Sequence, residues 1–122
     1  MAEKIKVVVT DYIEPNLDWE EQQFAERGIE FAHHQLKFHP EEEVIDATRD
    51  ADVVVVNMVK ITPTVVAGWE GCKLVIRHGA GYDNVNVEAL TARGIVLEYI
   101  PDYCQHEVAE QAIALAAELV GS

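Results

Sequence analysis

Four consecutive valines, Val53 to Val56, lie between Asp52 and Asn57. Successive side chains of a strand point to opposite sides, so a run apolar at every position must be covered on both faces. Valine is stiff at its first torsion and favours extended backbone, which argues for a strand rather than a buried helical turn. "KIKVVVT" (4–10) and "KLVIR" (73–77) are nearly continuous runs of the same kind, joined by the less apolar "IEFAHHQ" (29–35) and "IVLEY" (95–99). Stretches of helical period lie between them. Residues 16–27 place Leu17, Phe24 and Ala25 on one face and stop at Gly28. Pro40 opens a segment to about Thr48 whose Glu41, Glu42 and Glu43 suit the positive end of a helix dipole. Pro63 to about Trp69 and Val87 to Arg93 are shorter, the latter closed by Gly94, and a long apolar helix is predicted over 105–120.

This succession of β-α units, with no linker or repeat, predicts a single α/β domain over 1–122. The expected architecture is a flavodoxin-like three-layer sandwich around a five-stranded parallel sheet of order 2-1-3-4-5. Ligands of such sheets bind beyond the carboxyl ends of the strands. The segments to weigh are therefore "TDYIEPN" (10–16), "NMVKITP" (57–63), "RHGAGYDN" (77–84) and "YIPDYC" (99–104).

Composition narrows the partners. Nine Lys and Arg against 22 Asp and Glu give a net charge of −13, which disfavours nucleic acid and anionic membrane surfaces. No apolar stretch approaches the about 18 residues of a membrane span. The two cysteines, Cys72 and Cys104, have neither paired nor metal-type spacing, which points to a reducing, cytoplasmic setting.

Gly79 and Gly81 follow a strand as the start of a dinucleotide fingerprint would, and Glu98 lies at a suitable distance for a ribose contact. The third glycine position, however, holds Asn84, and the following helix is short. The plain alternative is a turn in which the glycines supply positive φ and Asp83, Asn84 or Asn86 caps the next helix. A third reading adds function to that turn: successive amides form an anion nest, and Arg77 offers a planar two-pronged donor to one carboxylate. A phosphoacceptor receiver is disfavoured, because Asp11 is the one acid directly at the end of the first strand and Asn57 ends the third. A flavin site lacks a Ser/Thr/Gly-rich first loop. His33 and His34 point to opposite faces and do not suit one metal, and no orienting acid supports Cys104 and His106 as a nucleophile pair.

The stretch "LVIRHGAGYDNVNVEALTARGIVLEYIPDYCQHEVAEQAIALAAEL" resembles the N-terminal region of NAD-dependent D-2-hydroxyacid dehydrogenases, in particular the phosphoglycerate dehydrogenase and C-terminal-binding-protein branches. The motifs that carry the resemblance are G-x-G-x-D-N-V, A-x-x-R-G-I and P-D-Y-C followed by E-V-A-E-Q-A. The resemblance implies a substrate-binding domain facing a separate NAD- or NADP-binding domain across the active-site cleft. It assigns the substrate carboxylate to the amides of Gly79, Ala80 and Gly81, helped by Arg77. It assigns the pocket lining to Asn57, Met58, Val59 and Lys60, and the crossover between domains to Pro101 through Glu107. The family's cofactor fingerprint and its catalytic Arg, Glu and His are expected beyond Ser122, so no residue here is expected to be catalytic or to bind cofactor or metal.

The resulting expectation is an isolated substrate domain of an oxidoreductase acting on 2-oxo and D-2-hydroxy acids, able to fold and to bind a small 2-oxo acid weakly at best, but inactive alone. The alternative is a non-catalytic structural or interaction module. Val108, Ala109, Ala112, Ile113, Leu115, Ala116, Leu119 and Val120 cover well over half the circumference of the last helix. Such a helix wants burial on more than one side, as the fifth helix of its own sheet and in a homodimer through 105–120.

Overall fold

A computed structural model of the chain describes residues 5–79, 84–101 and 104–121. Among the described residues, five strands alternate with five helices: β1 (Lys6–Val9), α1 (Asp18–Glu26), β2 (Glu30–His33), α2 (Glu41–Thr48), β3 (Val53–Val56), α3 (Pro63–Ala67), β4 (Leu74–His78), α4 (Val87–Ala92), β5 (Val96–Ile100) and α5 (Gln105–Gly121). The strands form one parallel sheet of order β2-β1-β3-β4-β5, as expected. Register places Val9 opposite Val55 and Val56 opposite Arg77, so the tips of β1, β3 and β4 share one edge.

The valine run behaves as its composition requires. Val53 and Val55 join Val7, Val9, Leu74 and Ile76 in one core, covered by Leu17 and Phe24 and by Val108, Ala109 and Ala112 of α5. Val54 and Val56 face the opposite core with Val8 and Val75, covered by Val44, Val65, Val66 and Leu90 of α2, α3 and α4. The last helix therefore does fold back to complete one helical layer. Its His106 ring stacks on Trp19 with centroids 3.9 Å apart.

Local signals explain most boundaries. Thr62 caps α3 by accepting from the Val65 amide at 3.2 Å, with Pro63 at the first helical position. Asn86 caps α4 by accepting from Ala89. Gly28 and Gly94, at φ 69° and 71°, turn the chain after α1 and α4 in a conformation that a side chain would strain. One expected core position differs. Ala25 is exposed, and the inner side of α1 carries Glu20 and Phe24 instead, because Ala25 lies a further 100° around the helix.

Cys72 is buried, and its thiol donates to the Leu74 carbonyl at 3.4 Å. Burial pushes its pKa from 9.0 up to about 12. The folded thiol keeps its proton to that pH, whereas the unfolded thiol loses its proton above 9. Unfolding is therefore favoured as pH rises between these values, by up to about 1.4 kcal/mol per pH unit for this group. Chemical denaturation of the wild-type chain and Cys72→Ala at pH 8 and pH 10.5 checks this: the wild type should lose more stability than the variant over that interval.

Candidate functional site

Loops leave the carboxyl edge of the sheet after β1, β3 and β4, and several backbone groups of the loop after β3 have no strand partner. Buried side chains satisfy them instead. Asp11, at the end of β1, is 4% exposed. Its carboxylate accepts from the amides of Asn57 at 3.1 Å, Met58 at 2.8 Å and Val59 at 3.4 Å, and from the Thr10 hydroxyl at 2.9 Å. An ionised carboxylate is suited to this, since it offers about four acceptor sites and no donor.

Asn84, 7% exposed, holds the same loop from the other side. Its Nδ2 donates to the carbonyls of Asn57 at 3.2 Å and Val59 at 2.7 Å, while Oδ1 accepts from Arg77 Nε at 2.6 Å. Its backbone carbonyl accepts from the Ile61 amide, beside a parallel bridge between Ile61 and Val85. Asn57 Nδ2 in turn donates to the His78 carbonyl at 2.6 Å. The loop after β3 and the end of β4 are thereby stitched together.

These bonds sort the expected site residues. Arg77 lies at the edge but is 3% exposed, its guanidinium anchored on Asn84. Asn57 and Val59 are buried, with their amides held by Asp11. Met58 is half-buried and Lys60 exposed, so these two side chains carry the loop's outward surface. Met58, Val59 and Lys60 line a groove of about 550 Å³ with Leu36, Phe38 and Val44. Lys60 also borders a second groove of about 550 Å³ with Asn84 and Val85.

The glycine loop needs one correction. Gly79 has φ 150°, and its amide donates to the Ile100 carbonyl at 2.9 Å, extending the pairing with β5. That amide is therefore not available to a carboxylate. Ala80 and Gly81, like Asp83, lie outside the described residues. Asn84 proves to be neither a helix cap nor a position left open for a pyrophosphate: Asn86 caps α4, and the Asn84 side chain fills the space between two loops. The Asn84 side chain thus occupies the position where a dinucleotide fingerprint has its third glycine.

The sequence does not reveal Asp11 and Asn84 as polar ligands of the backbone, nor the pair of His78 Nδ1 with Glu14 Oε2 at 3.7 Å, both nearly buried. A polar residue directly after an apolar strand was the available signal, but the partner loops are 46 and 25 residues away in sequence. At Cys104, partial burial and the Glu107 carboxylate raise the thiol pKa, which opposes a nucleophilic role. Among the described residues, no three His, Cys, Asp or Glu side chains are grouped to hold a metal ion. No helix among them is long and apolar enough to cross a membrane.

Residues 7–117 match the D-isomer specific 2-hydroxyacid dehydrogenase family, catalytic domain. The chain belongs to this family. It is 40% identical over 75 residues to D-3-phosphoglycerate dehydrogenase of Methanocaldococcus jannaschii, covering 61% of this chain and 14% of that protein. Glyoxylate reductase of Pyrococcus furiosus is 31% identical over 77 residues, covering 62% of this chain and 23% of that protein. Among solved structures, the NAD+-bound 3-phosphoglycerate dehydrogenase of Entamoeba histolytica superposes with a TM-score of 0.70 at 30% identity, over 80% of this chain and 33% of that one. An acyclic imino acid reductase in complex with NADPH and D-Arg superposes with a TM-score of 0.66 at 26% identity, over 93% of this chain and 36% of that one. The chain thus spans a minor part of the length of these similar proteins.

Asp11→Asn keeps the shape but puts an N–H group among backbone amides. It should cost about 1–3 kcal/mol of stability, read as a lower urea midpoint with an unchanged denaturant slope.

Proposed function

We propose that this chain is the substrate-holding part of an oxidoreductase that interconverts 2-oxo acids and D-2-hydroxy acids with NAD or NADP. The observation that carries the reading is Arg77, a buried cation fixed at the carboxyl edge of the sheet beside the loop that presents Met58 and Lys60. In a chain of net charge −13, a small anion is attracted here by local geometry rather than by the overall field.

In this reading the amides of Ala80 and Gly81 and the Arg77 guanidinium receive the substrate carboxylate, and Met58 and Lys60 flank its side chain. The nicotinamide cofactor supplies hydride chemistry in the complete enzyme. The residues here bind and orient the acid. Reduction of a 2-oxo group also needs a proton donor at the substrate oxygen, and no residue of this chain is assigned that role.

The chain alone should leave NADH unoxidised above buffer background with glyoxylate, hydroxypyruvate or pyruvate. Glyoxylate titrated into labelled protein should shift the amide signals of Ala80 and Gly81, and Arg77→Lys, which keeps charge but loses the planar fork, should weaken binding about tenfold. Turnover by the chain alone contradicts the first expectation. Silence at the loop favours a non-catalytic interaction module.

A homodimer through α5 belongs to the same reading. Ile113 and Leu115 remain only partly buried against the core after the helix folds back. Sedimentation across a hundredfold concentration range should give a mass that rises toward two chains; a constant monomer mass removes the dimer.

A further inference from the structure

The Asn84 side chain touches both halves of the proposed site. It binds Arg77 on one side and the loop of Asn57 and Val59 on the other. We infer that Asn84 is a positioning residue, which fixes the Arg77 guanidinium relative to the Met58–Lys60 surface so that carboxylate and side-chain contacts keep a set separation.

The chemistry of the amide supports this role. Its carbonyl oxygen is an acceptor and meets the donor Arg77 Nε; its NH2 has two protons and meets two carbonyls. Turning the amide over would place NH2 against N–H and oxygen against two carbonyl oxygens, so a single orientation satisfies all three partners. Asp11 completes the hold by accepting the three successive amides of the same loop. The loop between Asn57 and Val59 is therefore gripped through amides on one side and carbonyls on the other, with Arg77 tied to the second grip. Carboxylic acid, hydrophobic and smaller replacements at Asn84 cannot reproduce this set, because none carries both one acceptor and two donors.

The inference rests on the reading of Arg77 as a carboxylate receptor, but part of its test does not. The Arg77 Nε–Hε signal of the labelled full chain reports the Asn84 bond directly, without any ligand. Three proteins decide the matter: wild type, Asn84→Ala and Asn84→Asp. In the wild type the Hε proton should exchange slowly with solvent. Asn84→Ala should accelerate that exchange at least tenfold and weaken glyoxylate binding about tenfold. Asn84→Asp keeps an acceptor for Arg77 but sets oxygen against the two carbonyls. It should therefore retain a protected Hε while shifting the Met58 and Lys60 amide signals and lowering glyoxylate affinity.

Hε exchange and glyoxylate affinity within twofold of wild type in Asn84→Ala would overturn the positioning role. If Asn84→Ala does not fold, unmoved Met58 and Lys60 signals together with unchanged affinity in Asn84→Asp would overturn it equally. A wild-type chain that ignores glyoxylate would instead defeat the carboxylate-receptor reading, and the Hε measurement would still decide whether Asn84 holds Arg77.

Discussion

A central strand of four buried valines dictates what surrounds it. β3 has no polar face to offer water, so helices must cover both sides and parallel neighbours must take its backbone groups. The α1 and α5 layer meets Val53 and Val55, and the layer of α2, α3 and α4 meets Val54 and Val56. That requirement also makes the carboxyl edge a difficult place. Three strands end there together, and the loop leaving β3 carries amides and carbonyls with no strand to receive them.

Two short polar side chains hold the loop after β3 at that edge. Asp11 takes amides and Asn84 takes carbonyls from the same loop. Each residue type fits its task, since a carboxylate only accepts and a primary amide does both. The consequence reaches the outer surface of the loop. With Asn57 and Val59 buried, the loop presents side chains outward at Met58 and Lys60. The same Asn84 that closes the loop also anchors Arg77, so the structural device and the proposed carboxylate receptor are one network.

Much of the architecture was legible in the chain. The Val-rich runs, the alternation of periods, the glycines after α1 and α4 and the proline opening α3 are local signals, and each acts within a few residues of itself. The motif region from Leu74 to Leu119 also identified the family, because several ordered motifs are harder to meet by chance than one glycine pair. The candidate site was legible only in outline. Arg77, Met58 and Lys60 were placed at the correct edge, but Gly79 was expected to offer an amide that β5 already uses. In the sequence alone, Asn84 stands as a misfit in a glycine fingerprint or as a helix cap.

The sequence by itself determined the sheet, its order and the family, since apolar periodicity and local turn chemistry act over short stretches and leave little choice of topology. Tertiary structure alone decided which polar groups remain available at the edge. That outcome depends on contacts between β1, β3 and β4 tips far apart in the chain, on donor and acceptor counts that must balance within one buried volume, and on which side chain fills the space first. Asn84 illustrates the division: its position in the motif was plain from the sequence, and its three partners exist only once the strands are side by side.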